Sequence, residues 1–190
     1  MKTTEPKFNV LQMVQLAMLS AIAIVLVAFV RIPLVPSMEF LKYDMADAPI
    51  LIATLLFGVV PGLTVLFIVS VIQAFFFAGD GWVGLLMHVV ASGALVVLTG
   101  LFYRKKKRFK DAVIGMALGT VAMTLLMIPM NYIFTVNVYG TPKEVVDAML
   151  LPGIIPLNLL KAALNSFIAG VLFKALQPFS QKNKSIIHAA

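Results

Sequence analysis

Lys161 stands inside an apolar run, GIIPLNLLKAALNSFIAGVLF, from Gly153 to Phe173. About 20 apolar residues cross the hydrocarbon core of a bilayer. A lysine within such a run costs roughly 2.5–3.5 kcal/mol on insertion scales. Asn158 lies three residues before Lys161 and Asn165 four after it, so the three share one helix face. Lipid offers no hydrogen-bond partners, so this stripe must face protein, water or a ligand. The chemistry on offer is hydrogen bonding around one buried cation. An intramembrane ionisable residue is by default a functional-site hypothesis.

Other polar groups fall in apolar surroundings: Gln73, His88 and Asn131. Asn131 reads as a ligand group, and His88 and Gln73 as packing residues with an internal hydrogen bond. No reaction centre is recognisable. There is no HExxH, no GxxxxGK[ST] phosphate loop and no carboxylate pair at helical spacing within a span. Asp44 and Asp47 are the only close carboxylates near the membrane, and no cysteine is present to ligate a metal. The residues favour binding over catalysis, with no metal, no catalytic residue and no bound cofactor expected. A small membrane enzyme acting on lipid-linked substrates is the alternative from a different class.

The elements that must position these residues are read from composition. Of 190 residues, 61% are hydrophobic and 12% charged, with mean hydropathy +1.01. Average soluble domains are about 45–50% apolar and about 25% charged. An all-α integral membrane protein is therefore expected, one domain over 1–190. The net charge of +7 argues for membrane topology rather than nucleic acid, because the charges cluster at the ends of apolar segments. Six spans are expected, at roughly 10–30, 48–60, 61–78, 83–102, 111–134 and 152–177. Residues 48–78 carry no charge and would also fit one long broken helix, giving five. The first run is too long for a signal-peptide core and reads as a retained helix.

Basic residues orient the spans. With six spans and the N-terminus inside, eleven Lys and Arg fall inside and three outside, six of the eleven between Arg104 and Lys110. That fits the positive-inside rule with both termini cytoplasmic. Lys161 then lies about 13 Å below the outer surface. Asn158, Asn131, Gln73 and His88 share its half of the membrane, and Asn165 lies just past the middle. The pattern suggests a polar cavity opening outward, lidded by loops 31–47 and 135–151. Small residues add a second signal. Ala17 and Ala21 on the first span, and Gly115 and Gly119 on the fifth, are spaced to let helices approach closely. The glycine pair reads as internal packing.

FLKYDMADAP (Phe40 to Pro49), MNY at 130–132 and GIIPLNLLK at 153–161 resemble the riboflavin-specific substrate-binding subunits of energy-coupling factor vitamin transporters, over nearly the whole chain. The resemblance implies a six-helix fold in a prokaryotic cell membrane that captures riboflavin from outside. It implies delivery through a membrane coupling protein and two ATP-binding cassette ATPases. It makes Ala17 and Ala21 the surface that docks on the coupling protein. It places the ligand among Phe40, Leu41, Lys42, Tyr43, Asp44, Asn131, Asn158 and Lys161. An asparagine amide offers one acceptor and two donors to the pyrimidine edge of the ring. Phe40, Leu41 and Tyr43 would cover its faces, and Lys161, Asn158 and Asp44 would meet the ribityl hydroxyls. A different vitamin on the same scaffold is the alternative within this class.

Overall fold

The computed structural model describes residues 10–33 and 42–182. The described chain is almost entirely helical. Helix α1 is Val10–Phe29, α2 Asp47–Phe57, α3 Val59–Ile72, α4 Gly81–Lys106, α5 Phe109–Met130, α6 Lys143–Met149 and α7 Ile155–Lys182. Two short strands, β1 (Arg31–Pro33) and β2 (Lys42–Asp44), pair antiparallel with Arg31 opposite Asp44. Five helical stretches among the described residues are long and apolar enough to cross a membrane. The 11-residue α2 is not one of them; at 1.5 Å per residue it is about 16 Å long.

Residues 47–78 are not one broken span. Gly58 adopts φ 105°, a backbone region open to glycine and costly for other residues. The chain turns back there, and a Cβ on Gly62 would lie 2.1 Å from the Thr54 hydroxyl. Residues eight apart on a straight helix would be about 12 Å apart, so α2 and α3 form a tight hairpin. Every residue of α2 from Asp47 to Leu55 is buried. It packs against α1, α3, α4 and α7, a short column enclosed by protein. One cluster of buried apolar residues joins α2 to α4, α5 and α7 through Leu51, Leu55, Leu95, Met116 and Phe173. A second joins α2 to α1 and α3 through Val27, Ile50, Val65 and Val69.

Gly115 and Gly119 pack internally. A Cβ on Gly115 would lie 2.8 Å from Thr99 Cα, and one on Gly119 2.9 Å from Leu95 Cα. The absence of side chains at these positions is what lets α4 and α5 touch. Ala17 and Ala21 are instead exposed on α1 among the described residues. The stretch read as a plain polar loop contains α6. Pro142 precedes it in an extended conformation, so the proline's missing N–H interrupts no helix.

Three π-helical segments extend the long helices: Gln73–Ala78 after α3, Asn131–Val136 after α5 and Leu150–Ile154 before α7. Pro129 and Pro152 lie at or in two of them, where a proline removes a helical hydrogen bond. Such segments are frequent at functional sites. The first of them supplies Gln73 to the polar cluster described next.

Candidate functional site

Asp44 leaves β2 and points onto α7. Its Oδ2 accepts from Lys161 Nζ at 2.9 Å and from Gln73 Nε2 at 3.1 Å. Its Oδ1 accepts from the Ala46 amide at 3.2 Å. Asp44 is 2% exposed and Lys161 8%. Lys161 therefore does not snorkel to the headgroups; a loop carboxylate comes down to it. A buried pair is tolerated when further hydrogen bonds satisfy both charges, and Gln73 and Ala46 supply them for Asp44.

Asn165 holds the arrangement from below. Fully buried, its Nδ2 donates to the Asp44 carbonyl at 3.0 Å and to the Lys161 carbonyl at 2.9 Å. Its Oδ1 accepts from the Ala48 amide at 3.1 Å. Both donors and the acceptor are thus engaged. One side chain locks the β2–α2 corner to the helix carrying Lys161. The sequence placed Asn165 on the right face but gave no sign of this role, because its partners lie 117 and 121 residues away.

A second buried network adjoins the first. His88 Nδ1 lies 2.9 Å from Ser70 Oγ and His88 Nε2 3.3 Å from Asp47 Oδ1. A serine, an imidazole and a carboxylate in series are the parts of a nucleophilic triad. Ser70 is only 1% exposed, so no substrate reaches it, and the network serves as a clamp between α2, α3 and α4. His88 and Gln73 are thus internally hydrogen-bonded, as expected. Asp44 and Asp47 turn to different partners, Lys161 and His88.

Asn131 and Asn158, expected from the sequence to meet a ligand, each use one donor on the preceding turn. Asn131 Nδ2 donates to the Met127 carbonyl and Asn158 Nδ2 to the Ile154 carbonyl, both at 2.7 Å. Asn131 Oδ1 accepts from Thr135 Oγ1 at 3.1 Å. Both asparagines are buried, and Asn158 lies on α7 one turn from Lys161. Tyr43 is buried, whereas Lys42 beside it is exposed. Burial and the neighbouring Asp44 carboxylate hold the Tyr43 phenol above its usual value, so it remains a neutral donor. Phe40 and Leu41 lie outside the described residues.

The surrounding loops are stitched together. Arg31 Nη1 donates to the Phe77 carbonyl at 2.6 Å, and Tyr139 Oη to the Asp80 carbonyl at 3.1 Å. The Tyr132 hydroxyl donates to the Asp147 carboxylate, joining the end of α5 to α6. Trp82 meets Phe134 edge-on at 5.9 Å.

The family model for the substrate-specific component of ECF transporters matches residues 11–173. The chain belongs to this family. Residues 11–173 hold the whole polar cluster, from Asp44 to Asn165. This S component is thus a multi-pass membrane protein and part of a transporter, not an enzyme. It is 29% identical over 178 residues to "Riboflavin transporter RibU" of Streptococcus thermophilus, covering 89% of this chain and 84% of that protein. It is 27% identical over 186 residues to "Riboflavin transporter FmnP" of Bacillus subtilis, covering 93% and 97%. A solved structure titled "Structure and mechanism of the S component of a bacterial ECF transporter" superposes with a TM-score of 0.76 at 29% identity, over 88% of this chain and 96% of that one.

Proposed function

We propose that this S component binds riboflavin at the Asp44–Lys161 cluster and hands it to a coupling module for uptake. The supporting observation is the loop-to-helix ion pair. With the Gln73 hydrogen bond it brings the β2–α2 corner, the π-helical segment after α3 and α7 to one buried point, within a chain whose relatives are named riboflavin transporters. The site residues are Phe40, Leu41, Lys42, Tyr43, Asp44, Asn131, Asn158 and Lys161. The spans number six, with the enclosed α2 as the second. The eleven-to-three bias of basic residues supports a topology with both termini in the cytoplasm and the polar cluster toward the outside of a prokaryotic cell membrane.

The charges at the site define the ligand. Asp44 and Lys161 neutralise each other, so a neutral polyol can exchange hydrogen bonds with them and leave the pair intact. FMN would add about −1.5 to −2 charges beside the Asp44 carboxylate. Riboflavin is accordingly preferred, and a vitamin that is a cation finds no unpaired carboxylate in this pair. Transport needs energy this chain cannot supply, since it has no phosphate loop. A transmembrane coupling protein and two ATP-binding cassette ATPases provide it, with Ala17 and Ala21 as the docking face.

Titration of the purified protein against riboflavin fluorescence tests the proposal. Quenching at micromolar ligand is expected, with FMN at least about tenfold weaker, about 1.4 kcal/mol. Absence of quenching would reject riboflavin as ligand. Lys161→Ala and Asn158→Ala should each weaken binding about 10- to 150-fold, the loss of a hydrogen bond worth roughly 1.5–3 kcal/mol.

A further inference from the structure

A groove of about 930 Å³ runs between α5 and α7, away from the Asp44–Lys161 cluster. Phe109, Val113 and Met116 wall one side, and Phe167, Gly170 and Lys174 the other. Its surface is almost wholly apolar apart from its basic end. Ser166 lies on the groove wall, and its Oγ is buried with no hydrogen-bond partner among the described residues.

The length of the groove selects its occupant. On α7 it extends from Ala163 to Ala175 and on α5 from Phe109 to Thr120. At 1.5 Å per residue these are about 18 Å and about 16 Å. The hydrocarbon core is about 30 Å thick, so the groove is about one leaflet deep. A transmembrane helix, of a partner or of a second copy, would need a seam through the whole core. A single acyl chain needs one leaflet.

The charge at one end selects the headgroup. Lys174 lines the groove and holds its ammonium 5.7 Å over the Phe109 ring. α7 carries no acidic residue along its length. Asp111, in the first turn of α5, is paired with Arg108 at 3.1 Å. The same end of the molecule bears the basic run from Arg104 to Lys110. Basic pockets between spans on this side suit anionic lipid headgroups. We propose that the α5–α7 groove holds one acyl chain of an anionic phospholipid whose phosphate pairs with Lys174.

The test uses the full chain reconstituted in nanodiscs of equal phosphatidylglycerol and phosphatidylcholine. After extraction into mild detergent, retained lipid is counted by native mass spectrometry. One phosphatidylglycerol per protein is expected. Gly170→Leu fills the groove at a point where an added Cβ first meets the flexible end of Met116, at 3.4 Å. It should cut retention at least tenfold, and Ala163→Phe should do the same. Lys174→Gln should retain lipid but lose the preference between the two headgroups. Each variant is first shown to be folded by its unfolding midpoint in detergent. No retained lipid in the parent, retention unchanged in both filled variants, or a preference that survives Lys174→Gln would each overturn the proposal. So would a dimer mass that disappears when the groove is filled, which would assign it to a second copy of the chain.

Discussion

Lys161 Nζ and Asp44 Oδ2 are 2.9 Å apart although 117 residues separate them in the chain. Removing one partner of a buried pair strands the other charge and costs about 3–5 kcal/mol, whereas replacing both with apolar or neutral groups is often close to neutral. Lys161→Met should therefore destabilise the subunit by about that amount. Asp44→Asn combined with Lys161→Met should recover more than half of the loss. Unfolding midpoints of the single and double variants in one detergent decide the matter. Additive losses would show that the two charges do not interact.

Asn165→Leu keeps the side chain's size and removes its three hydrogen bonds. The Ala48 amide and the Asp44 carbonyl would be left buried without their partner, at about 1–3 kcal/mol each. The variant should melt lower, and hydrogen exchange at Ala48 should accelerate. Because Asn165 fixes the corner that carries Asp44, ligand affinity should fall with it. Normal affinity in a destabilised Asn165→Leu protein would separate the corner from the site.

Two glycines should respond in opposite ways. On Gly119 a Cβ would press on the Leu95 backbone at 2.9 Å, while on Gly170 it meets the tip of Met116 at 3.4 Å and the edge of Phe109 at 4.0 Å. Gly119→Val forces α4 and α5 apart and should cost at least about 1–3 kcal/mol, as overpacking does. Gly170→Ala should be tolerated. Yields and melting midpoints from one expression host make the comparison.

Ala17→Trp and Ala21→Trp add bulk to an exposed face of α1, flanked by exposed Val14, Met18 and Val25. Both alanines are exposed among the described residues, so riboflavin affinity should be unchanged within about twofold, under about 0.5 kcal/mol. Small residues are what allow close helix approach in lipid, so copurification with a coupling protein and uptake by cells should drop sharply. Loss of affinity in the isolated variants would count against a docking role.

The spans were legible because crossing a bilayer demands length and apolarity, and α1, α4 and α5 satisfy both without interruption. Lys161 was legible because a charge in such a run is conspicuous. Asn158 and Asn131 were found by the same rule, which says nothing of where a donor points; each also bonds its own preceding turn. The Ser70–His88–Asp47 clamp and the threefold role of Asn165 depend on residues brought together from distant helices, and no local pattern encodes them. Gly58, Pro61 and Gly62 are helix-breaking residues near the end of the second expected span, but only the backbone at Gly58 shows that α2 and α3 fold into a hairpin. Helix α6 was hidden by its polar composition, although Pro142 followed by Val145, Val146 and Met149 carries the start signal and the spacing of a short amphipathic helix.

The sharp bend at Gly58 has a mechanical meaning. The upper end of α2 is gripped by Asn165 through Ala48 and by His88 through Asp47, and its sides are enclosed. Its lower end hangs on a residue whose backbone has no side chain to restrain it. Any displacement of the Asp44 corner is therefore carried down a rigid rod about 16 Å long and absorbed at Gly58. There the rod ends in a cavity of about 750 Å³ bordered by Arg104 and Lys107. The subunit has the build of a lever, with the Asp44 corner at one end of α2 and a glycine fulcrum at the other.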